Sequence, residues 1–155
     1  MPISEVKLAF KSPLFQMTQT TPTCLWNDSA CIEELTYSIE HGAVGATCNP
    51  SIAVSVLKKE MASWKVRIKA LAESCPQATE DEISWKIVEE MSANGAKLLK
   101  PIFDSQKGRN GRLSIQTDPR TYRNSDAILA QAIRFSQLAP NMIVKIVATR
   151  AGRCV

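Results

Sequence analysis

One lysine stands in a segment whose other residues are apolar. Lys145 lies within residues 142–147, which read Met-Ile-Val-Lys-Ile-Val and have the length and composition of a buried strand. An unpaired buried ammonium group costs on the order of several kcal/mol, so burial favours the neutral amine and lowers the pKa of a lysine. A neutral amine is a nucleophile towards carbonyl carbon. The alternative is a lysine at a strand end whose head reaches solvent.

Strand and helix patterns alternate along the chain. Residues 1–21 are polar and irregular, which predicts an N-terminal arm. Short apolar runs predict strands at residues 24–26, 44–47, 113–117 and 142–147. Helical periodicity and capping signals predict helices between them, over residues 32–41, 50–73, 79–100 and 125–139, with Pro101 and Pro140 ending the last two.

This alternation predicts right-handed βαβ units and a parallel sheet. The fold class is therefore α/β, and (β/α)8 TIM barrels are built from the same units. A closed barrel has eight strands and typically about 250 residues. The four strands predicted in the 155-residue chain are half of that number.

Polar side chains collect where each predicted strand ends, which is the end at which (β/α)-barrels build their active sites. These residues are Asp28 after the first strand, Thr47 and Asn49 at the second, Gln116 and Asp118 at the third, and Lys145 in the fourth. Each also has a purely structural interpretation. Asp28 and Asn49 could cap the helices that follow them, and Asp118 before Pro119 is typical of a turn.

Composition excludes several function classes. The net charge is +4, and the basic loop at residues 107–112 lacks the interleaved aromatics of a nucleic-acid surface. Five cysteines without a CxxC pair and a single histidine are unlike a zinc site or a disulfide framework, and favour reduced thiols in a cytoplasmic protein. No apolar run approaches the length of about 20 residues that a transmembrane helix needs.

The ordered motifs resemble the transaldolase family. Residues 25–29, Leu-Trp-Asn-Asp-Ser, are similar to the family's first strand, and residues 42–51 resemble its GATTNPS signature. Residues 141–152, reading NMIVKIVATRAG, resemble the segment with the Schiff-base lysine, usually close to KIPAT. Residues 111–120 fit the third strand, so the resemblance covers residues 22–152 in the family's order. It implies the (β/α)8 TIM-barrel fold, with residues 22–155 as the N-terminal half of a barrel that is truncated after its fourth strand.

The resemblance implies roles for five residues. Lys145 would be the Schiff-base nucleophile, Asp28 the proton-transfer group, and Thr47 and Asn49 contacts to the bound sugar. Gln116 stands where typical transaldolases have a glutamate that works through a water, and a glutamine there is similar to the fructose-6-phosphate aldolase branch. The implied substrates are sugar phosphates, a ketose donor and an aldose acceptor. No metal or cofactor is implied, because the imine replaces a Lewis acid.

Three hypotheses of different classes follow. The chain could be the N-terminal half of a transaldolase-type enzyme of carbohydrate metabolism, with activity residing in the complete barrel. It could be a non-catalytic half-barrel, either a truncated relic or a module that forms homo-oligomers or pairs with a chain supplying the other half. It could also be a binding protein that uses its basic face to hold an anionic partner.

Overall fold

The computed structural model describes residues 12–155, and its centre is one parallel sheet. The sheet has four strands in the order β1-β2-β3-β4, as the alternating pattern predicts. Among the described residues the sheet is open and does not close into a barrel. The strands are β1 (Leu25–Asn27), β2 (Ala43–Cys48), β3 (Arg112–Gln116) and β4 (Met142–Lys145).

Helices connect the strands and cover one face of the sheet. The expected caps are present: the side chains of Asn49, Thr79 and Asn124 each accept a backbone N–H in the following first turn. No helix in the described part of the chain is long and apolar enough to cross a membrane. The helices are α1 (Pro13–Thr20), α2 (Ile32–Glu40), α3 (Pro50–Lys59), α4 (Met61–Ser74), α5 (Glu80–Ser105) and α6 (Ser125–Ser136), with 3₁₀ turns at Pro119–Thr121 and Gly152–Cys154.

Alternate strand residues form the core between sheet and helices. In β3 the side chains of Leu113 and Ile115 are fully buried, whereas the alternate residues Arg112, Ser114 and Gln116 are half-buried. Because successive side chains of a strand point to opposite sides, the remaining strand residues lie on the face of the sheet opposite the core. The core cluster includes Leu35, Ala46, Cys48, Met91, Leu99, Leu113, Ile115, Phe135 and Met142.

Part of the predicted N-terminal arm is helical, so the expectation of an irregular backbone is wrong there. Residues 13–20 form α1, and the Ser12 hydroxyl accepts a hydrogen bond of 3.1 Å from the Phe15 N–H. Ser12 followed by Pro13 is an N-cap with proline in the first turn, a signal that the polar composition obscured. The first part of the arm, residues 1–11, lies outside the described residues.

The single helix predicted over residues 50–73 is two helices. Glu60 separates α3 from α4 with a non-helical backbone (φ −111°, ψ 24°). Its carboxylate accepts hydrogen bonds of 3.1 Å from both the Cys31 thiol and the Trp64 indole. These contacts tie the junction to the start of α2, and helical periodicity alone gave no sign of them.

The helix predicted to stop near Pro101 continues to Ser105. Proline removes one backbone hydrogen bond, which disfavours an interior helical position. Packing outweighs this cost, because Leu99 and Ile102 on the two sides of Pro101 belong to or contact the buried core. The capping box over residues 79–82 is confirmed, and near the end of the helix Leu99 is fully buried while Leu98 is half-buried against the core.

The strand predicted over residues 142–147 is shorter, and its lysine is not buried. β4 ends at Lys145, whose side chain is exposed, while Ile143 and Val144 are half-buried. β4 is the last strand of an open sheet, so within residues 12–155 no neighbouring strand covers its outer side. The desolvation expected around the Lys145 amine is therefore not supplied by the described residues.

Asn141 fixes the start of β4 against α5 and β3. Its side chain is 1% exposed, and its amide donates hydrogen bonds of 2.8 Å to the Ala96 carbonyl and 2.7 Å to the Gly111 carbonyl. The Asn141 carbonyl accepts a further hydrogen bond from the Leu113 N–H. One residue thus joins helix, loop and strand.

Asn141→Ala should lower the free energy of unfolding by roughly 2–4 kcal/mol, because two buried carbonyls lose their donor. Urea or thermal unfolding followed by circular dichroism would measure the change. Gln77→Ala, which truncates an exposed amide side chain, is the matched control and should change stability little. Equal effects of the two substitutions would contradict this role for Asn141.

Candidate functional site

Two residues predicted for the site are in direct contact. Asp28 follows β1 and Thr47 lies near the end of β2, and the Thr47 hydroxyl donates a hydrogen bond of 2.6 Å to Asp28 Oδ1. Asp28 is exposed and Thr47 half-buried. The hydrogen bond orients the carboxylate and leaves its other oxygen available to a ligand above the ends of the strands.

Gln116 and Lys145 form a second pair. They are directly opposite in the β3–β4 register, and β strands place opposed side chains on the same face. That face is the one turned away from the helices, because the buried Ile115 faces the helical layer. Thr47 is on this face as well, since it is opposite Ser114, two residues before Gln116. We call this the open face.

Asn49 has a structural role in this conformation. Its side-chain oxygen accepts a hydrogen bond of 3.0 Å from the Ile52 N–H and caps α3. The cap leaves the Asn49 amide nitrogen as the group that could meet a ligand. The structural alternative considered for Asn49 is thus present, and it does not exclude a contact to sugar.

The open face includes two residues to which the sequence analysis gave no role in the site. Ser114 lies between Thr47 and Ile143 across the sheet, and strand alternation counted back from Gln116 would have found it. Trp26 covers Gly45 from β1, and a β-carbon at Gly45 would collide with the indole. Trp26 therefore packs on the open face.

Asp118 belongs to a turn, as its position directly before Pro119 predicted. The Arg120 guanidinium binds Asp118 at 2.6 Å and, on its other side, Asp81 at 2.6 Å. Asp81 lies in the first turn of α5, so the arginine joins that helix to the end of β3. Hydrogen bonding from Arg120 holds the pKa of the nearly buried Asp118 below its usual range.

Cys48 ends β2 next to Asn49 but is not part of the open face. Its side chain is 1% exposed in the helix-facing core, and burial raises the pKa of its thiol. A thiol of this kind is a poor nucleophile. Within the chain from residue 12 onward, no group of three or more histidine, cysteine or acidic side chains is arranged to hold a metal ion.

The chain thus has the features of a (β/α)-barrel of the TIM type: parallel strands alternate with helices, and polar side chains gather at the carboxyl ends of the strands. Residues 25–155 match the family model described as transaldolase/fructose-6-phosphate aldolase. The chain therefore belongs to the transaldolase/fructose-6-phosphate aldolase family.

Curated relatives agree with this assignment. Transaldolase 2 of Streptomyces avermitilis is 34% identical over 111 residues, which cover 70% of this chain and 29% of the relative. Transaldolases of Kocuria rhizophila and Mycolicibacterium smegmatis are 32% and 33% identical, with the same coverage. The chain spans about 29% of the length of these relatives.

Arg120→Gln should lower the free energy of unfolding at pH 7 and have less effect in acid. The pKa of Asp118 is lower in the folded than in the unfolded chain, so the stabilisation is fully present above the unfolded value of about 4. This stabilisation is lost as the pH falls through the lower pKa that Asp118 has in the folded chain. Denaturant unfolding of Arg120→Gln and of the unmodified protein between pH 7 and acidic pH would measure the difference in their free energies of unfolding. This difference should become smaller as the pH falls.

Arg109→Gln is the matched control, since it removes one positive charge from an exposed loop. A stability difference between Arg120→Gln and the unmodified protein that stays constant on acidification would contradict the role of Asp118.

Proposed function

We propose that Lys145 forms a Schiff base with a ketose phosphate and that the complete barrel transfers a dihydroxyacetone unit to an aldose phosphate. The observation that carries this proposal is the position of four polar side chains at the carboxyl edge of the sheet. Asp28 contacts Thr47, and Gln116 is opposite Lys145. Membership of the transaldolase/fructose-6-phosphate aldolase family supports the same chemistry.

The reaction begins at the Lys145 amine. In its neutral form the amine adds to the C2 carbonyl of the donor, and loss of water gives an iminium ion. The iminium accepts the electron pair of the C3–C4 bond as that bond breaks. Asp28 takes the proton from the C4 hydroxyl while the aldehyde product leaves, a step that general-base catalysis accelerates by roughly 10² to 10⁴.

The bound enamine then has two fates. Attack on an acceptor aldehyde completes a transfer, whereas protonation and hydrolysis complete a cleavage. Hydrolysis of the imine returns the Lys145 amine in both cases. A neutral amide such as that of Gln116 can hold a water molecule but cannot take its proton, so this residue bears on the choice between the two fates.

Lys145→Ala should abolish trapping of the imine. Incubation with fructose 6-phosphate or dihydroxyacetone followed by borohydride should leave a stable adduct on the peptide that contains Lys145, read by peptide mass. The alanine variant should show no adduct above background, because no amine remains at this place on the open face.

Lys65→Ala is the matched control, since it removes an exposed lysine of α4 away from the sheet. It should retain the adduct. If folded, unmodified protein forms no adduct, or if the adduct lies on other lysines, Schiff-base chemistry at Lys145 is refuted.

Gln116→Glu should raise the rate of imine formation by up to about 10², because a carboxylate can relay a proton through water. The rate of borohydride-trapped adduct formation measures this step. Product analysis with and without an acceptor aldose phosphate measures how cleavage and transfer divide.

Gln77→Glu adds the same charge on an exposed loop and should change neither quantity. An unchanged or lower trapping rate in Gln116→Glu would show that residue 116 does not relay the proton.

A non-catalytic half-barrel is the second candidate. The exposure of Lys145 favours it, because the described residues do not enclose the amine. The same trapping experiment separates the candidates: a well-folded protein without any adduct would support the half-barrel that lacks its own chemistry.

A further inference from the structure

We propose that a cavity between α3, the first turns of α5 and the 3₁₀ turn at Pro119–Thr121 is a second ligand site, which binds a small organic ammonium ion. The cavity has a volume of about 350 Å³. Binding there requires none of the Schiff-base chemistry, so the site goes beyond the proposed function and is tested apart from it.

The cavity lies among the helices, whereas the candidate site is on the open face of the sheet. One wall is α3, which begins at Pro50 directly after Asn49. A second wall is the turn that Asp118 caps, two residues after Gln116, and the third is the amino-terminal part of α5. All three walls lie between residues 50 and 120, and described strands and helices precede and follow them along the chain.

Most of the cavity wall is apolar. The Trp85 indole is hydrogen-bonded to Asp118, so the polar edge of this ring already has a partner. Val54 is 49% exposed, so a ligand in the cavity would cover apolar surface that now contacts water. Pockets for small molecules are mostly apolar and typically occupy about 300–1,000 Å³. The apolar wall includes Pro50, Val54, Leu57, Trp85, Val88 and Pro119.

The polar part of the wall selects the charge of the ligand. It contains the carboxylates of Asp81 and Asp118 and the guanidinium of Arg120, which together leave one net negative charge. The Asp118 side chain is only 10% exposed and is engaged by Arg120, whereas that of Asp81 is 59% exposed and can meet a ligand. An ammonium ion neutralises this wall, whereas an anion would face two carboxylates.

Two further features favour a cation. Glu80 and Glu82 share the first turn of α5 with Asp81, and their charges exceed the partial positive charge of about half a unit at a helix N-terminus. Tryptophan is also the aromatic side chain that attracts cations most strongly. A ligand with its ammonium group beside Asp81 and its apolar body against Trp85 therefore matches both parts of the wall.

Titration of the full chain with 2-phenylethylammonium, followed by ¹H–¹⁵N NMR, tests the site. We expect chemical-shift changes at the cavity, above all in the indole N–H of Trp85 and the backbone amides of Val54 and Ser84. The anion 3-phenylpropanoate has a similar apolar body and should bind at least about tenfold more weakly, because its charge is opposite. The neutral 2-phenylethanol should lie between them.

Asp81→Asn removes the exposed carboxylate and should weaken binding of 2-phenylethylammonium by about tenfold, because the wall then has no net charge. Binding of 2-phenylethanol should not change, since this ligand has no charge to lose. Asp104→Asn makes the same substitution at the other end of α5 and is the matched control. It should alter neither affinity.

Ser84→Phe places a ring in the cavity from an exposed helical position and should abolish binding of both the amine and the alcohol. Circular dichroism would verify that this variant is folded. Folded, unmodified protein that shows no shifts with any of the three probes would overturn the site, as would shifts on other surfaces or undiminished binding by Ser84→Phe. Equal affinities for the three probes, or tighter binding of the carboxylate, would overturn the assignment of an ammonium ligand.

Discussion

The site depends on one constraint, the burial of a single face of a parallel sheet. Leu113 and Ile115 are fully enclosed by the helical layer, and strand alternation then turns Ser114 and Gln116 to the other side. The adjacent strands have the same constraint, because Ala46 and Cys48 are buried in β2. The polar side chains at the strand ends therefore share a face because apolar neighbours are held on the opposite one.

The helical layer, however, does not enclose the side chains that the proposed chemistry needs to shield from solvent. Helices shield only one side of the strands, while Lys145 and Asp28 lie on the other side and are exposed. In a TIM barrel the second side is enclosed by the remaining strands. The described residues thus contain the chemical groups of the proposed site without the enclosure.

Sequence reasoning predicted what local patterns encode. The four parallel strands, the caps at Asn49 and Asn124 and the capping box were all readable, because each depends on neighbours in sequence. The break at Glu60 depends on hydrogen bonds from Cys31 and Trp64, and the exposure of Lys145 depends on which strands are present beside β4. Such long-range partners leave no periodic signal. The roles of the site residues remain predictions.

The buried amide of Asn141 has a consequence for strand pairing. A shift of β4 by two residues would keep every side chain on its original face, so hydrophobic alternation cannot oppose that slip. The slip would withdraw the Asn141 amide from the carbonyls of Ala96 and Gly111 and leave this buried amide without its two acceptors. A polar contact at the amino end of β4 thus fixes the register of the strand, and with it the position of Lys145 at the carboxyl end.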